Sequence, residues 1–200
     1  MPEVRYLLWD FGDTLADQRW MWPSLSGAPG WTDWYQTLAD DELGAQWELG
    51  QKSTDDLAVI LADKFGITAD AAMAHMQECC RNLSFFEHAW AAARARSLPQ
   101  AIVTLNSDVF SRFVVPHYAL DTHFDAIVTS WEERTRDKTR LCEIALERLG
   151  GSDPAEALLI DNIEANSEAW RAAGGSALWF RGDAEFDRDF ARLTAPQDSQ

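Results

Sequence analysis

Cysteine is scarce in this chain. The three present, Cys79, Cys80 and Cys142, have no metal-binding spacing, and an odd count argues against a disulfide framework. A reducing compartment suits such a protein. Basic side chains are also few, 17 Lys and Arg against 33 Asp and Glu, and the net charge of −16 repels phosphate backbones and anionic bilayers. Neither nucleic acid nor membrane is an expected partner. No apolar run approaches the roughly 18 residues of a membrane span, and Met1-Pro2-Glu3-Val4 lacks the basic and apolar regions of a signal peptide. The expected location is the cytoplasm. Nothing in the composition bears on oligomeric state.

Material for a core is plentiful. Hydrophobic residues make up 46% of the 200 residues and there are ten tryptophans, enough for one core plus an insertion, with disorder expected only at Ala195–Gln200. The run Val4 to Trp9 reads as a buried strand that ends abruptly on Asp10. Trp20, Trp22, Pro23, Pro29 and Gly30 then break regular structure. From Trp31 helical spacing takes over, with Leu57, Ile60, Leu61 and Phe65 on one face and Met73, Met76, Cys80 and Leu83 on another. Ser53 and Asp56 suit the first helix's start, Gly66 its end, and Thr68 the next start. No strand pattern appears between Trp31 and Arg96.

Beyond that point β-like runs alternate with helical ones. The predicted strands are Leu98–Thr104, Phe124–Thr129, Ala157–Asp161 and Ser176–Phe180. Between and after them fall a helix carrying Phe110, Phe113 and Val114 and stopped by Pro116, then helices over Thr139–Leu149, Ile163–Ala173 and Ala184–Leu193. Such alternation implies an α/β protein with a Rossmann-like, three-layer core on a parallel sheet and right-handed crossovers. The all-helical stretch is then an insertion after the first strand.

Parallel strands bring their carboxyl ends together, where ligands bind in open α/β sheets. Asp10, Thr104 and Asp161 each close a strand, and Lys138 lies near a helix start. Two carboxylates, a hydroxyl and an ammonium suit the handling of a phosphoryl group with Mg²⁺, a hard cation that takes oxygen ligands. The cation also answers the field of an acidic chain. By themselves Asp10 and Asp13 read equally as turn-capping residues, and Trp20, Trp22, Trp31 and Trp34 as core or as lining of a substrate entrance. The histidines show no ligand spacing, and Arg134, Arg136 and Arg140 read as a solvated charged loop.

The same residues resemble the haloacid dehalogenase (HAD) superfamily. Asp10-Phe11-Gly12-Asp13-Thr14-Leu15 is similar to its first motif, Thr104 to its second, Lys138 to its third and Asp161-Asn162 to its fourth, in order along nearly the whole chain. The Gln46–Gln51 turn and the run Asn166–Gly174 add to the likeness. The resemblance implies a core over residues 1–15 and 97–200 and a helical cap over 16–96. It implies an Asp10 nucleophile that forms an aspartyl-phosphate, with Mg²⁺ held by Asp10, the Gly12 carbonyl and Asp161. Thr104 and Lys138 would hold the phosphoryl oxygens of a small phosphorylated metabolite.

The chain departs from the family pattern at three places. Gly12 stands where the second Asp, the general acid and base, is usual, which makes Asp13 the candidate replacement and points to sugar-phosphate phosphatase-type members. Asn162 stands where a second Asp is common. Leu105 follows Thr104 where Asn is common, with Asn106 one place on. For the third motif Lys138 is preferred over Arg136. The expected activity is Mg²⁺-dependent phosphatase; the alternatives are a catalytically weakened binding protein and a metal-independent 2-haloacid dehalogenase.

Overall fold

The computed structural model describes residues 3–38 and 41–194. The tail Ala195–Gln200, where disorder is expected, and Met1-Pro2 of the amino-terminal reading lie outside the described residues.

Five short runs of mostly β-branched, aromatic and aliphatic residues form one parallel sheet. They are β1 (Tyr6–Trp9), β2 (Gln100–Thr104), β3 (Ala126–Thr129), β4 (Ala157–Asp161) and β5 (Ser176–Trp179), in the order β3-β2-β1-β4-β5. The register sets Trp9 against Ile102 and Ile160, and Thr104 against Thr129. Alternate side chains serve opposite faces. Leu7, Trp9, Ile102, Leu158 and Ile160 join one apolar cluster, while Tyr6, Leu8, Ala101, Val103 and Leu159 join the other. Both faces are covered, as an all-parallel sheet requires.

Between β1 and β2 the regular elements are helical: a 3₁₀ turn Gln18–Met21, then α1 (Trp31–Leu38), α2 (Glu42–Glu48), α3 (Thr54–Phe65), α4 (Ala69–Cys80) and α5 (Glu87–Ala95). The helix signals act as read. Ser53 and Asp56 form a capping box on α3, Gly66 closes α3 in the left-handed conformation at φ 66°, and Thr68 caps α4. Gly44 lets α1 and α2 approach, because a Cβ there would lie 1.8 Å from the Leu38 carbonyl oxygen.

After β2 come a π-helical turn Phe110–Val114, α6 (Val115–His117), α7 (Leu120–His123), α8 (Ser130–Glu133), α9 (Lys138–Arg148), α10 (Glu164–Ala172) and α11 (Asp183–Thr194). Pro116 stands one residue before its helix ends at His117: the π-helical turn runs straight into α6, with the Val115 N–H donating to the Phe110 carbonyl, so the proline falls in the last turn of one continuous helical run. The strands over 98–104 and 124–129 are each shorter by two residues at the start. There the Asp125 N–H donates to the Gln100 carbonyl at 2.9 Å while its side chain accepts the Gln100 N–H at 3.0 Å.

A buried carboxylate ties the inserted helices to the sheet. Asp108 is 3% exposed. It accepts from the Thr54 N–H at 2.9 Å, from the Thr54 hydroxyl, from the Trp47 indole at 3.1 Å and from Arg112 at 3.3 Å. A carboxylate at the first N–H groups of α3 also complements the helix dipole. Asp108→Ala leaves several buried donors unpaired, with an expected loss of about 3 kcal/mol in urea unfolding; a loss under about 1 kcal/mol would contradict this role.

Candidate active site

Asp10 follows β1, its N–H donating to the Ile160 carbonyl at 2.8 Å, which continues the ladder to the end of the sheet. Lys138 enters from the first turn of α9. Its ammonium donates to Asp10 Oδ1 at 2.6 Å and to the Val103 carbonyl at 2.6 Å, and lies 3.1 Å from Asp161 Oδ2. All three charged groups are buried. Arg136, the other candidate for the third motif, pairs with Glu48 at 3.0 Å at the cleft wall.

One ammonium between two carboxylates leaves a negative charge uncompensated. Burial pushes the Asp10 carboxyl up, Lys138 pulls it down and Asp161 pushes it up again, to a pKa of about 6. For Lys138, burial opposes the charge but Asp10 and Asp161 outweigh it, and its pKa is raised. The pair is therefore ionised at neutral pH.

Thr14 supports the other oxygen of Asp10, its hydroxyl lying 3.4 Å from Oδ2 while it accepts the Asn162 N–H at 3.0 Å. The Asn162 side-chain amide lies 3.3 Å from both Asp10 Oδ2 and the Gly12 carbonyl oxygen. Turned one way, its nitrogen donates to both. Turned the other, its oxygen stands beside both, making a set of carboxylate, carbonyl and amide oxygens. Carboxylate, carbonyl and amide oxygens fit Mg²⁺, and a cation there would relieve the charge excess beside Asp10. Among the described residues no three His, Cys, Asp or Glu side chains form a metal cluster, so such a site depends on the backbone carbonyl and the amide.

Asp161, expected as a metal ligand, is held by protein donors at both oxygens. It is fully buried, Oδ1 accepts from the Ile163 N–H at 2.7 Å, and Asn166 donates to both oxygens at 3.1 Å. With Lys138 alongside, both its oxygens already have protein partners. Asn162 stands closer to the open side.

Asp13 is a correction. Its backbone is left-handed at φ 52°, and Oδ1 accepts the Gln18 N–H at 3.0 Å, so it caps the turn and is not among the described residues lining the cleft. One step past Gly12 the chain has already turned away. Beside Gly12 lies Gln18, whose Cβ and Oε1 would sit 3.5 and 3.7 Å from a Cβ built at position 12.

Thr104, Leu105 and Asn106 all line the cleft. The Asn106 amide donates to the Thr104 hydroxyl at 3.3 Å, and Ser130 fixes the loop by accepting the Asn106 N–H at 3.0 Å. The cleft has a volume of about 460 Å³. Of the four tryptophans read as core or lining, Trp20 and Trp22 line it, whereas Trp31 is 1% exposed and donates to the Met21 carbonyl. The sequence reading missed Gln18, Tyr35, Trp47 and Glu48 as lining and Asn166 as the partner of Asp161. Asn166 carried a signal, one helical turn beyond the strand end, and Trp47 and Glu48 lie in the run read as the Gln46–Gln51 turn.

No family model and no curated protein matches the sequence. Solved structures do. A HAD family enzyme from Bacteroides thetaiotaomicron superimposes with a TM-score of 0.74 at 15% identity, over 94% of this chain and 99% of that one. The chain has the HAD fold. A "predicted HAD-like family hydrolase" from Porphyromonas gingivalis gives 0.75 at 15% identity, covering 98% and 100%. The L-2-haloacid dehalogenase of Xanthobacter autotrophicus gives 0.63 at 18%, covering 94% and 82%. The Bacteroides HAD enzyme has also been solved with magnesium and inorganic phosphate, with a TM-score of 0.68.

Because Asp13 caps a turn in the left-handed region, Asn is its best substitute. Asp13→Asn is expected to keep both activity and melting temperature, whereas Asp13→Ala lowers stability by about 1 kcal/mol in thermal unfolding. A large loss of turnover in Asp13→Asn would return Asp13 to the chemistry.

Proposed function

We propose that the protein is a Mg²⁺-dependent phosphatase that hydrolyses a small phosphorylated metabolite through an aspartyl-phosphate on Asp10. The observation that carries this is the Lys138 ammonium 2.6 Å from Asp10 Oδ1, at the sheet edge where Thr104 and Asn106 also open onto the cleft. The Bacteroides structure with magnesium and phosphate supports it by analogy of fold.

Asp10 attacks phosphorus, a P–O(Asp) bond forms and the bond to the leaving oxygen breaks. Water then attacks the phosphorus, releasing phosphate and freeing Asp10. Lys138 stays charged and offsets the negative charge that the phosphoryl group brings, while Thr104 and Asn106 supply hydrogen bonds to its oxygens. Asp10, the Gly12 carbonyl and the Asn162 amide would hold Mg²⁺, with Asp161 behind them fixing Lys138. Bound there, the cation supplies Lewis-acid stabilisation of the transferring group. The helical segment 16–96 serves as a cap over the core formed by 1–15 and 97–200. With Gly12 lacking a carboxyl and Asp13 turned away, the leaving oxygen takes its proton from water and not from a carboxylic acid at position 12 or 13.

Asp10→Asn is expected to abolish Mg²⁺-dependent hydrolysis of an aryl phosphate; unchanged turnover would overturn the reading. The nucleophile must be ionised, so activity is lost as pH falls through the Asp10 pKa. Without Mg²⁺ the Asp10 carboxyl should titrate at about pH 6, followed by carboxylate infrared or NMR, and saturating Mg²⁺ should place the acid limb of kcat/KM below that value. Titration of the metal-free Asp10 near pH 4 would show that burial does not govern it.

The Asn162 amide also favours a second reading. Donating to Asp10 Oδ2, it orients the nucleophile without a cation, as a metal-independent 2-haloacid dehalogenase would need. Halide release from 2-chloropropionate that survives chelation would select that reading.

A further inference from the structure

The cleft is far larger than a phosphoryl group, and its remaining wall has a distinct chemistry. Trp20, Trp22, Tyr35 and Trp47 line it together with Leu38. Trp20 and Trp47 are 8% and 4% exposed, and the Trp47 indole N–H is tied to Asp108 and Thr54, so these rings are held in place. Their positions come from three separate pieces of chain: the 3₁₀ turn with the residue after it, α1 and α2. An apolar core alone does not need its aromatic rings to open onto a cleft that ends at a buried nucleophile.

Charge narrows the ligand further. Among the described lining residues the cations are Lys138 and Arg136. Lys138 is committed to Asp10 and Asp161, and Arg136 to Glu48. No unpaired cation is left among them for a second phosphate or a carboxylate, and the chain's acidic excess repels one. Gln18, Gln36 and Glu48 also line this wall and supply its hydrogen-bonding side chains beside the four rings. A cavity of about 460 Å³ leaves room for one or two fused rings.

Resting on the phosphatase reading above, we propose that the substrate is the monophosphate ester of an otherwise uncharged alcohol bearing a flat aromatic ring system, seated against Trp20, Trp22, Tyr35 and Trp47 with its phosphoryl group at Asp10. The rings of the wall recognise the leaving group by apolar burial and by offset or edge contacts. Recognition is then of shape and planarity, with charge confined to the one phosphoryl group.

The test compares 2-naphthylmethyl phosphate with glycerol phosphate in Mg²⁺. Both leave as primary alkoxides, so the ratio of their kcat/KM values reads recognition of the ring and not ease of departure. Acetyl phosphate serves as a third substrate that is too small to reach the wall. The naphthyl ester is expected to be preferred at least tenfold, and Trp22→Ala to bring the ratio close to one while Trp22→Phe keeps most of it. Trp22 is only partly buried, which makes both variants suitable for folding. Equal turnover of the two esters, or a preference for glycerol phosphate, overturns the inference and leaves the phosphatase reading standing. No Mg²⁺-dependent turnover of any of the three, acetyl phosphate included, overturns both.

Discussion

Lys138 sits between Asp10 and Asp161 at 2.6 and 3.1 Å, and most of what surrounds the cleft can be understood as support for that contact. Removing three charges from water costs several kcal/mol per ion, which mutual attraction offsets only with good geometry and further hydrogen bonds. Those bonds are present. Val103 takes a Lys138 proton, Asn166 and the Ile163 N–H satisfy Asp161, and Thr14 with Asn162 borders Asp10. The remaining negative charge is not quenched by any of them. After burial, which is the larger cause, it raises the Asp10 pKa further, and it creates a place where a divalent cation is favoured.

That cluster depends on strand order. With β1 between β2 and β4, Asp10 has Thr104 on one side and Asp161 on the other, all on one edge of the sheet. The inserted helices leave from the same edge immediately after Asp10, so the elements that shape the cleft wall are bound by connectivity to hang over the nucleophile. Asp108 fixes them there, joining the start of α3 and Trp47 on α2 to the chain just after β2. The Arg136–Glu48 pair and the Arg134 bond to the Gly50 carbonyl at 2.8 Å add a second attachment on the far side. Opening the cleft between insertion and sheet would have to break one of these attachments.

Much of this was legible in the residues because local rules and the fold agree. Ala157–Asp161 is a strand over its predicted length, since a continuous apolar run flanked by a helix start has few other solutions in an α/β chain. The caps at Ser53, Gly66 and Thr68 follow from side-chain and backbone chemistry that acts within four residues. What could not be read depends on direction or on distance along the chain. Asp13 and Gly12 are adjacent, yet one lines the cleft and the other caps a turn, a difference made by a single left-handed backbone conformation. The Asp108–Thr54 contact spans 54 positions and no periodicity announces it. The π-helical turn before Pro116 could not be read either, since nothing in the spacing of Phe110, Phe113 and Val114 sets it apart from an α-helical turn.

The central claim is that Asp10, held by Lys138, is the nucleophile. Acid-quenching the enzyme during turnover of acetyl phosphate in Mg²⁺, followed by peptide mass analysis, tests this most directly. A phosphoryl adduct on the peptide containing Asp10, absent after hydroxylamine treatment, is the predicted result. Steady turnover with no adduct, or an adduct on another residue, would contradict it.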